Sequence, residues 1–301
     1  MKQPRVALYT TIYPAVMRFV PDWYRSVEIQ KNQNFDLWIG LDAVRPEEAQ
    51  AVIGKKRPVR WVVGDSGDSP AQIRLRAMQA MVEEYESIVF SDSDDVMYPT
   101  RVEKTLSQLN DCDVVACAMD FMDERGESQG ITFRPSAAMD PATLLIHHNV
   151  FGLSNSAYRA DVLRQCLPFG RNCELIDWLL ATRALNLGAR LTFDYAPAMS
   201  YRQYSANAAP ALPPFTQTHV LRLTEKVVLH YQLLLQNTAP LCESLRMQLS
   251  DALRQARRFY RAMRQSEKRL SEYVKDLNSL QPEYIWWWCV ANRSLEHIWN
   301  Q

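Results

Sequence analysis

Three carboxylates within four residues are the strongest chemical signal in this sequence. The apolar residues 88–90 run directly into Ser-Asp-Ser-Asp-Asp at positions 91–95, which brings Asp92, Asp94 and Asp95 together. Like charges this close raise one another's pKa unless a cation neutralises them, and a hard divalent ion prefers oxygen ligands. The pattern therefore predicts a metal site at the end of a strand, with a diphosphate supplying further ligands. The alternative is an acidic turn that caps the helix expected near Pro99.

Alternating strand-length and helix-length segments form the scaffold that positions these acids. Short apolar runs of strand length lie at residues 6–10, 35–41, 60–63, 87–90 and 113–118. Amphipathic segments of helix length lie between them, at residues 20–31, 46–52, 70–84 and 99–109, and several open with a proline that suits a first helical turn. This order predicts an α/β fold, a mostly parallel sheet with helices on both faces. Ligands of such sheets gather at the carboxyl ends of the strands.

A change in composition divides the chain. Residues 205–214 are rich in proline and small residues, which indicates a linker. Beyond it the pattern is helical, with one helix expected at 218–236 and a longer one at 241–277. We therefore predict an α/β domain over residues 1–210 and a helical C-terminal region over residues 211–301.

The long predicted helix has a basic face opposite its apolar stripe. This face comprises Arg254, Arg257, Arg258, Arg261, Arg264, Lys268 and Arg269. Base rates favour a solvated helix face, and nucleic acid is not indicated because aromatic stacking residues are not interleaved. The sharper alternatives are peripheral contact with anionic lipid or a partner such as a second copy. For Trp286, Trp287 and Trp288 we expect core packing, with a dimer contact or a membrane-interface anchor as alternatives.

Composition excludes several classes of protein. The chain has 34 Lys+Arg, 34 Asp+Glu and 47% apolar residues, which excludes a disordered protein. Its longest apolar run, residues 285–291, is too short to cross a bilayer, and no signal-length segment opens the chain, so we expect a cytoplasmic protein. The six cysteines contain no CxxC pair, and no P-loop or GxGxxG pattern occurs. Zinc sites, disulfide frameworks, P-loop ATPases and dinucleotide dehydrogenases are therefore not indicated.

In this context the sequence resembles the nucleotide-sugar glycosyltransferases of the GT-A fold, most closely the inverting family 2, over about residues 5–205. The family's Asp-x-Asp-Asp motif follows a hydrophobic strand and precedes a proline and a basic residue. It is matched here by Asp92, Asp94, Asp95, Pro99 and Arg101. The resemblance implies a GT-A domain, a nucleotide-sugar donor and a divalent metal, Mn²⁺ or Mg²⁺.

The resemblance also implies roles for individual residues. It places the donor nucleotide against Thr10, Thr11, Tyr13, Asp42, Arg76, Asp92, Ser93 and Arg202, and the metal against Asp94, Asp92 and Asp95. Asp177 takes the place of the general base, with Glu174 as a fallback one turn earlier, because the family's preceding glutamate is Ile176 here. Residues 149–159 would line the acceptor pocket, and the family's late histidine is Tyr204 here.

The function implied by the resemblance is sugar transfer, with inversion, from a UDP-sugar to a glycan or lipid-linked acceptor, as in bacterial polysaccharide biosynthesis. Such an enzyme would work in the cytoplasm, peripherally at the inner face of the membrane. Two rivals stay open. One is a haloacid-dehalogenase-like phosphotransferase with Asp92 as nucleophile, although three strands precede the motif and no later Gly-Asp-x-x-x-Asp follows. The other is a non-catalytic nucleotide-sugar-binding scaffold, prompted by Ile176 and Tyr204.

Overall fold

The computed structural model describes residues 5–136, 140–204, 207, 210–236 and 241–300. The chain forms two compact units. The first, here the sheet unit, comprises Met1–Phe133 and Phe151–Tyr204; the second, here the helical unit, comprises Arg134–Val150 and Ser205–Gln301. The predicted boundary at residue 210 lies near the start of the helical unit's second segment. The segment Arg134–Val150, which also joins the helical unit, was not anticipated.

Four parallel strands form one half of the sheet, in the order β3-β2-β1-β4. Their bounds are β1 Val6–Ile12, β2 Asp36–Leu41, β3 Val59–Val63 and β4 Ser87–Phe90. β1 pairs in parallel with both β2 and β4, and β2 pairs in parallel with β3. Every residue of β1 is buried, as expected for a central strand covered on both faces.

The remaining strands extend the sheet past β4 with mixed directions. They are β5 Val96–Met97, β6 Val114–Met122, β7 Ser128–Phe133, β8 Ser156–Arg159 and β9 Leu191–Arg202. β8 runs antiparallel between β4 and β6, whereas β9 pairs in parallel with β6. β7 pairs antiparallel with β6, and β5 with β9. The sheet therefore brings residues near 154 and 202 beside the acidic segment that follows β4.

Helices alternate with the strands of the sheet unit. They are α1 Val20–Glu28, α2 Pro46–Ile53, α3 Pro70–Glu84, α4 Arg101–Gln108, α6 Ala160–Cys166 and α7 Ile176–Asn186, whereas α5, Pro141–Leu144, lies in the helical unit. β2 and β3 are added in turn on one side of β1, and the chain then returns across the sheet to place β4 on the other side of β1. Because such crossovers are right-handed, α3 covers the face opposite α1 and α2. The predicted α/β fold with a helical C-terminal region is confirmed.

The helical unit contains α8 Gln217–Leu235, α9 Glu243–Gln265, α10 Glu267–Leu277 and α11 Glu296–Trp299. The single helix predicted over residues 241–277 is therefore wrong. Ser266 adopts an extended conformation (φ −146°, ψ 108°), and its hydroxyl accepts a hydrogen bond from the Arg269 amide. Serine is a favoured N-cap because its side chain satisfies an amide of the first helical turn, so a new helix begins here.

The tryptophan cluster of the helical unit is part of its core. Trp286, Trp287, Trp288 and Trp299 are all at most 6% exposed, so their burial agrees with the expected core packing rather than with a membrane-interface anchor. Among the described residues, no helix has the combined length and apolarity to cross a bilayer. Of the linker predicted over 205–214, residues 205, 206, 208 and 209 lie outside the described part of the chain.

Candidate functional site

The carboxyl ends of β1, β2 and β4 meet at one edge of the sheet. Ile12 pairs with Leu41, and Tyr9 pairs with Phe90. The chain continues from these ends in register, since the Ser91 amide donates to the Tyr9 carbonyl at 3.1 Å. Parallel strands place their carboxyl ends together, and this edge is where α/β sheets bind ligands. The acidic segment therefore lies where the sequence pattern predicted a site.

Hydrogen bonds from the sheet fix the acidic segment. The Ser93 hydroxyl donates to the Thr11 carbonyl at 2.7 Å, which ties the segment to the end of β1. The Asp92 amide donates to the Ser154 hydroxyl at 3.1 Å, and the Asp95 amide donates to the Asp92 carbonyl at 3.2 Å. The segment is thus a tight turn held from two sides.

Asp95 faces the interior of this turn. It is fully buried, its Oδ1 accepts from the Arg202 amide at 2.9 Å, and its Oδ2 accepts from the Ser154 hydroxyl. Burial and the charges of Asp94 and Asp92 raise its pKa well above the ordinary value. Since both carboxyl oxygens already have protein donors, Asp95 stabilises the turn, and the structure gives no support to its predicted place as a metal ligand.

Asp92 and Asp94 are the partly exposed acids of the segment. Burial raises the pKa of Asp92 to about 7; the charge of Arg74 lowers this pKa, and the charges of Asp94 and Asp177 add to the rise. Burial also raises the pKa of Asp94, whereas a hydrogen bond from the Tyr204 hydroxyl to Asp94 Oδ2, at 2.8 Å, lowers it. The nearby positive charge of Arg74 therefore offsets the desolvation of these two acids only in part, since the pKa of both stays raised.

This pair fits a hard divalent cation on chemical grounds. Its carboxylate oxygens are the ligands that Mg²⁺ and Mn²⁺ prefer, and a cation would relieve the repulsion between the two charges. Within the described part of the chain, however, no group of three or more His, Cys, Asp or Glu side chains is arranged to hold a metal ion. The protein alone therefore offers Asp92 and Asp94, and further ligands would have to come from a bound molecule.

The arginine whose charge acts on the acidic edge is Arg74, rather than the predicted Arg76. The positive charge of Arg74 lowers the pKa of Asp92 and of Asp94, and it does the same for Tyr13 at the end of β1. Arg76 instead forms ion pairs with Asp68 and, at 2.5 Å, with Asp65. Both arginines lie in α3, but residues two apart do not share a helix face, and only the structure shows which one points toward the site.

The predicted nucleotide residues of β1 and β2 lie at the same edge with different exposures. Thr10 and Thr11 are buried, and the Thr11 hydroxyl lies 3.0 Å from the Tyr9 hydroxyl. Tyr13 is partly exposed, and burial together with the charge of Asp94 raises its pKa to about 12. Asp42 is also partly exposed, and its amide donates to the Ile12 carbonyl at 3.0 Å. Tyr13 and Asp42 are therefore the members of this group whose side chains reach the surface.

Arg202 is buried behind the acids. Its Nε donates to the Asp94 carbonyl at 2.8 Å, its Nη1 to the Glu124 carbonyl at 2.9 Å, and its Nη2 to Asp22 Oδ2 at 3.1 Å. The side chain is 1% exposed. All three guanidinium nitrogens thus donate to protein oxygens. This differs from the prediction, in which Arg202 lies in a loop and binds the diphosphate.

Asp177 lies in α7, and its negative charge acts on the acidic segment. It is the second residue of the helix, is partly exposed, and its Oδ1 accepts from the Trp178 amide at 2.9 Å. Its negative charge contributes to the raised pKa of Asp92, which indicates that the two carboxylates lie in one neighbourhood. Glu174 was expected on the same helix face, but α7 begins at Ile176, so Glu174 precedes the helix and is exposed.

Two residues of this site escaped the sequence analysis. Ser154 bridges the Asp92 amide and the Asp95 carboxyl group from a distance of about sixty positions in the sequence. It lies within the 149–159 block that was assigned to the acceptor pocket. Arg74 is the other. It could be identified only once the structure showed which side of α3 lies toward the acidic segment.

No family model matches this sequence, and no curated protein shows significant similarity to it. Solved structures do resemble the fold. TarS from S. aureus (residues 1–349) matches with a TM-score of 0.59 at 16% identity, over 84% of this chain and 71% of that chain. Its complex with UDP-GlcNAc matches with a TM-score of 0.59 at 15% identity, over 84% of this chain and 72% of that chain. A mannosyltransferase from Pyrobaculum calidifontis, in complex with GDP-Man and Mn²⁺, matches with a TM-score of 0.61 at 13% identity, over 99% of this chain and 88% of that chain. At these identities, the comparison shows a shared fold.

Proposed function

We propose that this chain is a metal-dependent glycosyltransferase that moves a sugar from a nucleotide diphospho-sugar, a UDP-sugar, to a hydroxyl group of a glycan or lipid-linked acceptor, with inversion. One observation carries the proposal: the desolvated pair Asp92 and Asp94 lies at the carboxyl ends of parallel strands, and the pKa of both acids stays raised although the charge of Arg74 lowers it. The shared fold supports it, because structures of that fold hold UDP-GlcNAc in one protein and GDP-Man with Mn²⁺ in another.

In this proposal Asp94 and Asp92 hold Mn²⁺ or Mg²⁺ together with the donor diphosphate. The metal would supply neutralisation of the negative charge that develops on the leaving diphosphate. The charge of Arg74 acts on the same acids, and its guanidinium would donate hydrogen bonds to the diphosphate oxygens. Arg202 would act indirectly, because its Nε donates to the Asp94 carbonyl and its amide donates to the Asp95 carboxylate. Two carboxylates and one arginine would thus orient the donor.

The remaining donor contacts would come from the ends of β1 and β2. Tyr13 and Asp42 reach the surface there, and Asp42 would accept hydrogen bonds from the base or ribose. Thr10, Thr11 and Ser93 would shape the floor beneath the nucleotide, since all are buried. Holding the reacting groups in this way contributes through orientation, which reaches several kcal/mol, roughly 7 to 11, in favourable intramolecular reactions.

Asp177 would act as the general base. Its carboxylate would take the proton of the acceptor hydroxyl while that oxygen bonds to the anomeric carbon. The bond from this carbon to the diphosphate oxygen breaks in the same displacement, and the nucleoside diphosphate leaves with the electron pair. Attack from the opposite side inverts the anomeric centre. One carboxyl oxygen of Asp177 accepts from the Trp178 amide, which fixes the orientation of the group.

The proposal is tested by separating chemistry from binding. Release of nucleoside diphosphate from UDP-GlcNAc and from GDP-Man would be measured for the wild type, Asp177→Asn and the matched variant Glu174→Gln. General base catalysis contributes about 10²–10⁴-fold, so Asp177→Asn should lose at least about 100-fold in rate while retaining nucleotide affinity. Glu174→Gln, which alters an exposed acid outside α7, should stay within a few-fold of wild type.

The same measurement addresses the two rival functions. Phosphate release that depends on Asp92, with no transfer of sugar from either donor, would point to the phosphotransferase. Nucleotide binding with no turnover in the wild type would point to the scaffold. The fold comparison does not support the phosphotransferase, since the matched complexes hold nucleotide sugars, and the turnover measurement separates the enzyme from the scaffold.

A further inference from the structure

Six arginines line one face of α9. Arg246, Arg254, Arg257, Arg258, Arg261 and Arg264 form this face, here called the arginine stripe, and all six are exposed. They recur mostly at steps of three or eight residues, which return to one side of a helix. The stripe covers eighteen residue steps, a length of about 27 Å at 1.5 Å per residue.

The opposite face of α9 packs into the core of the helical unit. Its buried residues are Leu245, Leu249, Ala252, Leu253, Ala256, Phe259, Ala262 and Met263. α8 and α10 both contact α9, and these apolar residues lie on the side away from the stripe. The arginine stripe is therefore the face of α9 that the helical unit leaves open.

The stripe holds more positive charge than its neighbouring carboxylates offset: Asp251 pairs with Arg254, and Glu225 accepts a hydrogen bond from the Tyr260 hydroxyl that Arg264 contacts. Among the described side chains, Asp251 is the one carboxylate within 4.0 Å of a stripe arginine, Arg254. Other stripe contacts are to neutral oxygens, such as Arg258 Nη2 to the Asn300 carbonyl at 2.9 Å and Arg264 Nη1 to the Tyr260 hydroxyl at 3.1 Å. Because the whole chain has equal numbers of basic and acidic residues, this concentration of positive charge is local.

The arginine stripe differs in its members from the basic face predicted from the sequence. Lys268 and Arg269 belong to α10, beyond the break at Ser266, and so do not continue the stripe. Arg246 extends the stripe toward the start of α9. Beside Arg246 lies Met247, whose 61% exposure is high for an apolar side chain. One end of the stripe thus combines positive charge with an exposed apolar side chain.

We infer that the arginine stripe docks the protein on the surface of a bilayer that contains anionic lipids. The inference rests on the proposed function for its purpose, since a lipid-linked acceptor requires the enzyme at a membrane. A straight row of long cationic side chains suits a flat anionic surface, and clusters of four to eight basic residues on an amphipathic helix are typical of such binding. Nucleic acid fits less well, because its binding domains carry a strong net positive charge and interleave exposed aromatic residues.

Vesicle sedimentation tests the inference. Wild type, Arg257→Gln/Arg261→Gln and the control Lys55→Gln/Lys104→Gln would be mixed with phosphatidylcholine vesicles with or without 30% phosphatidylglycerol. The control removes the same charge from exposed positions of the sheet unit. Each basic residue near an anionic surface contributes about fivefold to partitioning, so the double stripe variant should bind at least about 25-fold more weakly than wild type. The control should bind like wild type, and 0.5 M NaCl should abolish binding through screening.

Three outcomes would overturn the inference. Equal sedimentation of wild type with neutral and anionic vesicles would do so, as would unchanged binding of the stripe variant. Salt-sensitive binding to soluble polyphosphate or duplex DNA without vesicle binding would assign the stripe to a soluble polyanion instead. Because sedimentation needs no sugar donor, and nucleoside diphosphate release is measured without vesicles, failure of the docking inference and failure of the proposed function are distinguishable.

Discussion

Replacing Asp92 with asparagine should change how the stability of the metal-free protein depends on pH. The pKa of Asp92 is about 7 in the folded protein, whereas an unperturbed aspartate has a pKa of 3.8, and burial is the main cause of this rise. Because the folded value is the higher one, the protonated acid stabilises the fold at low pH. This contribution is fully present below about pH 4 and is lost as the pH rises through about 7.

The size of this effect follows from the two pKa values. Between pH 5 and pH 8, the loss of the Asp92 contribution amounts to about 2.5 kcal/mol of unfolding free energy. Asp92→Asn removes the titrating group and should flatten the pH dependence by at least this amount. The charge of Asp92 also raises the pKa of Asp95, so its removal lowers a second shifted pKa in the same turn.

Urea unfolding in buffer with EDTA, from pH 5 to pH 8, measures the difference directly. Asp111→Asn is the matched control, because Asp111 is an exposed aspartate and its replacement should leave the wild-type slope unchanged. Equal slopes for wild type and Asp92→Asn would show instead that Asp92 ionises as freely in the folded protein as in the unfolded chain.

Three further changes have expected outcomes. Arg74→Ala should weaken nucleoside diphosphate binding at least tenfold by calorimetry, because it removes the cation beside the acids, whereas Arg76→Ala should have an effect below threefold. Ser154→Ala should lower the unfolding free energy by about 1–3 kcal/mol in urea titrations, because it leaves the buried Asp95 carboxyl group without one donor. Ser266→Ala should lower the thermal stability of the helical unit by about 1 kcal/mol, followed by circular dichroism, because α10 loses its N-cap. Unchanged stability in the last two variants would show that these hydrogen bonds are replaced by water.

The parallel half of the sheet could be predicted from the sequence because its strands are short apolar runs between helix-length segments. The start of α3 and the bounds of β4 match the predicted ones, since a proline opens the helix and polar residues bound the strand. The acidic segment was found for the same reason, as its position follows from the strand before it. Local patterns of this kind are decided by residues close in sequence.

The rest of the site depends on contacts that no local pattern contains. Ser154 reaches the turn because β8 pairs antiparallel with β4, a pairing that links distant segments. Asp95 points inward and Asp94 outward, although both follow the same strand, and the choice is made by Ser154 and Arg202. The helix break at Ser266 was missed because the amphipathic pattern continues across it.

We propose that the edge formed by Asp92 and Asp94 binds a nucleoside diphosphate together with a divalent cation. The most direct test is a thermal-shift panel of UDP, GDP, CDP and ADP, with and without Mn²⁺, on wild type and Asp94→Asn. A ligand that binds the folded state stabilises it by about 2.7 kcal/mol at a hundredfold excess over Kd. We expect a Mn²⁺-dependent shift with one nucleotide, UDP, that is lost in Asp94→Asn. No shift with any nucleotide would show that this edge does not bind a nucleoside diphosphate, and an equal shift in the variant would show that binding does not depend on Asp94.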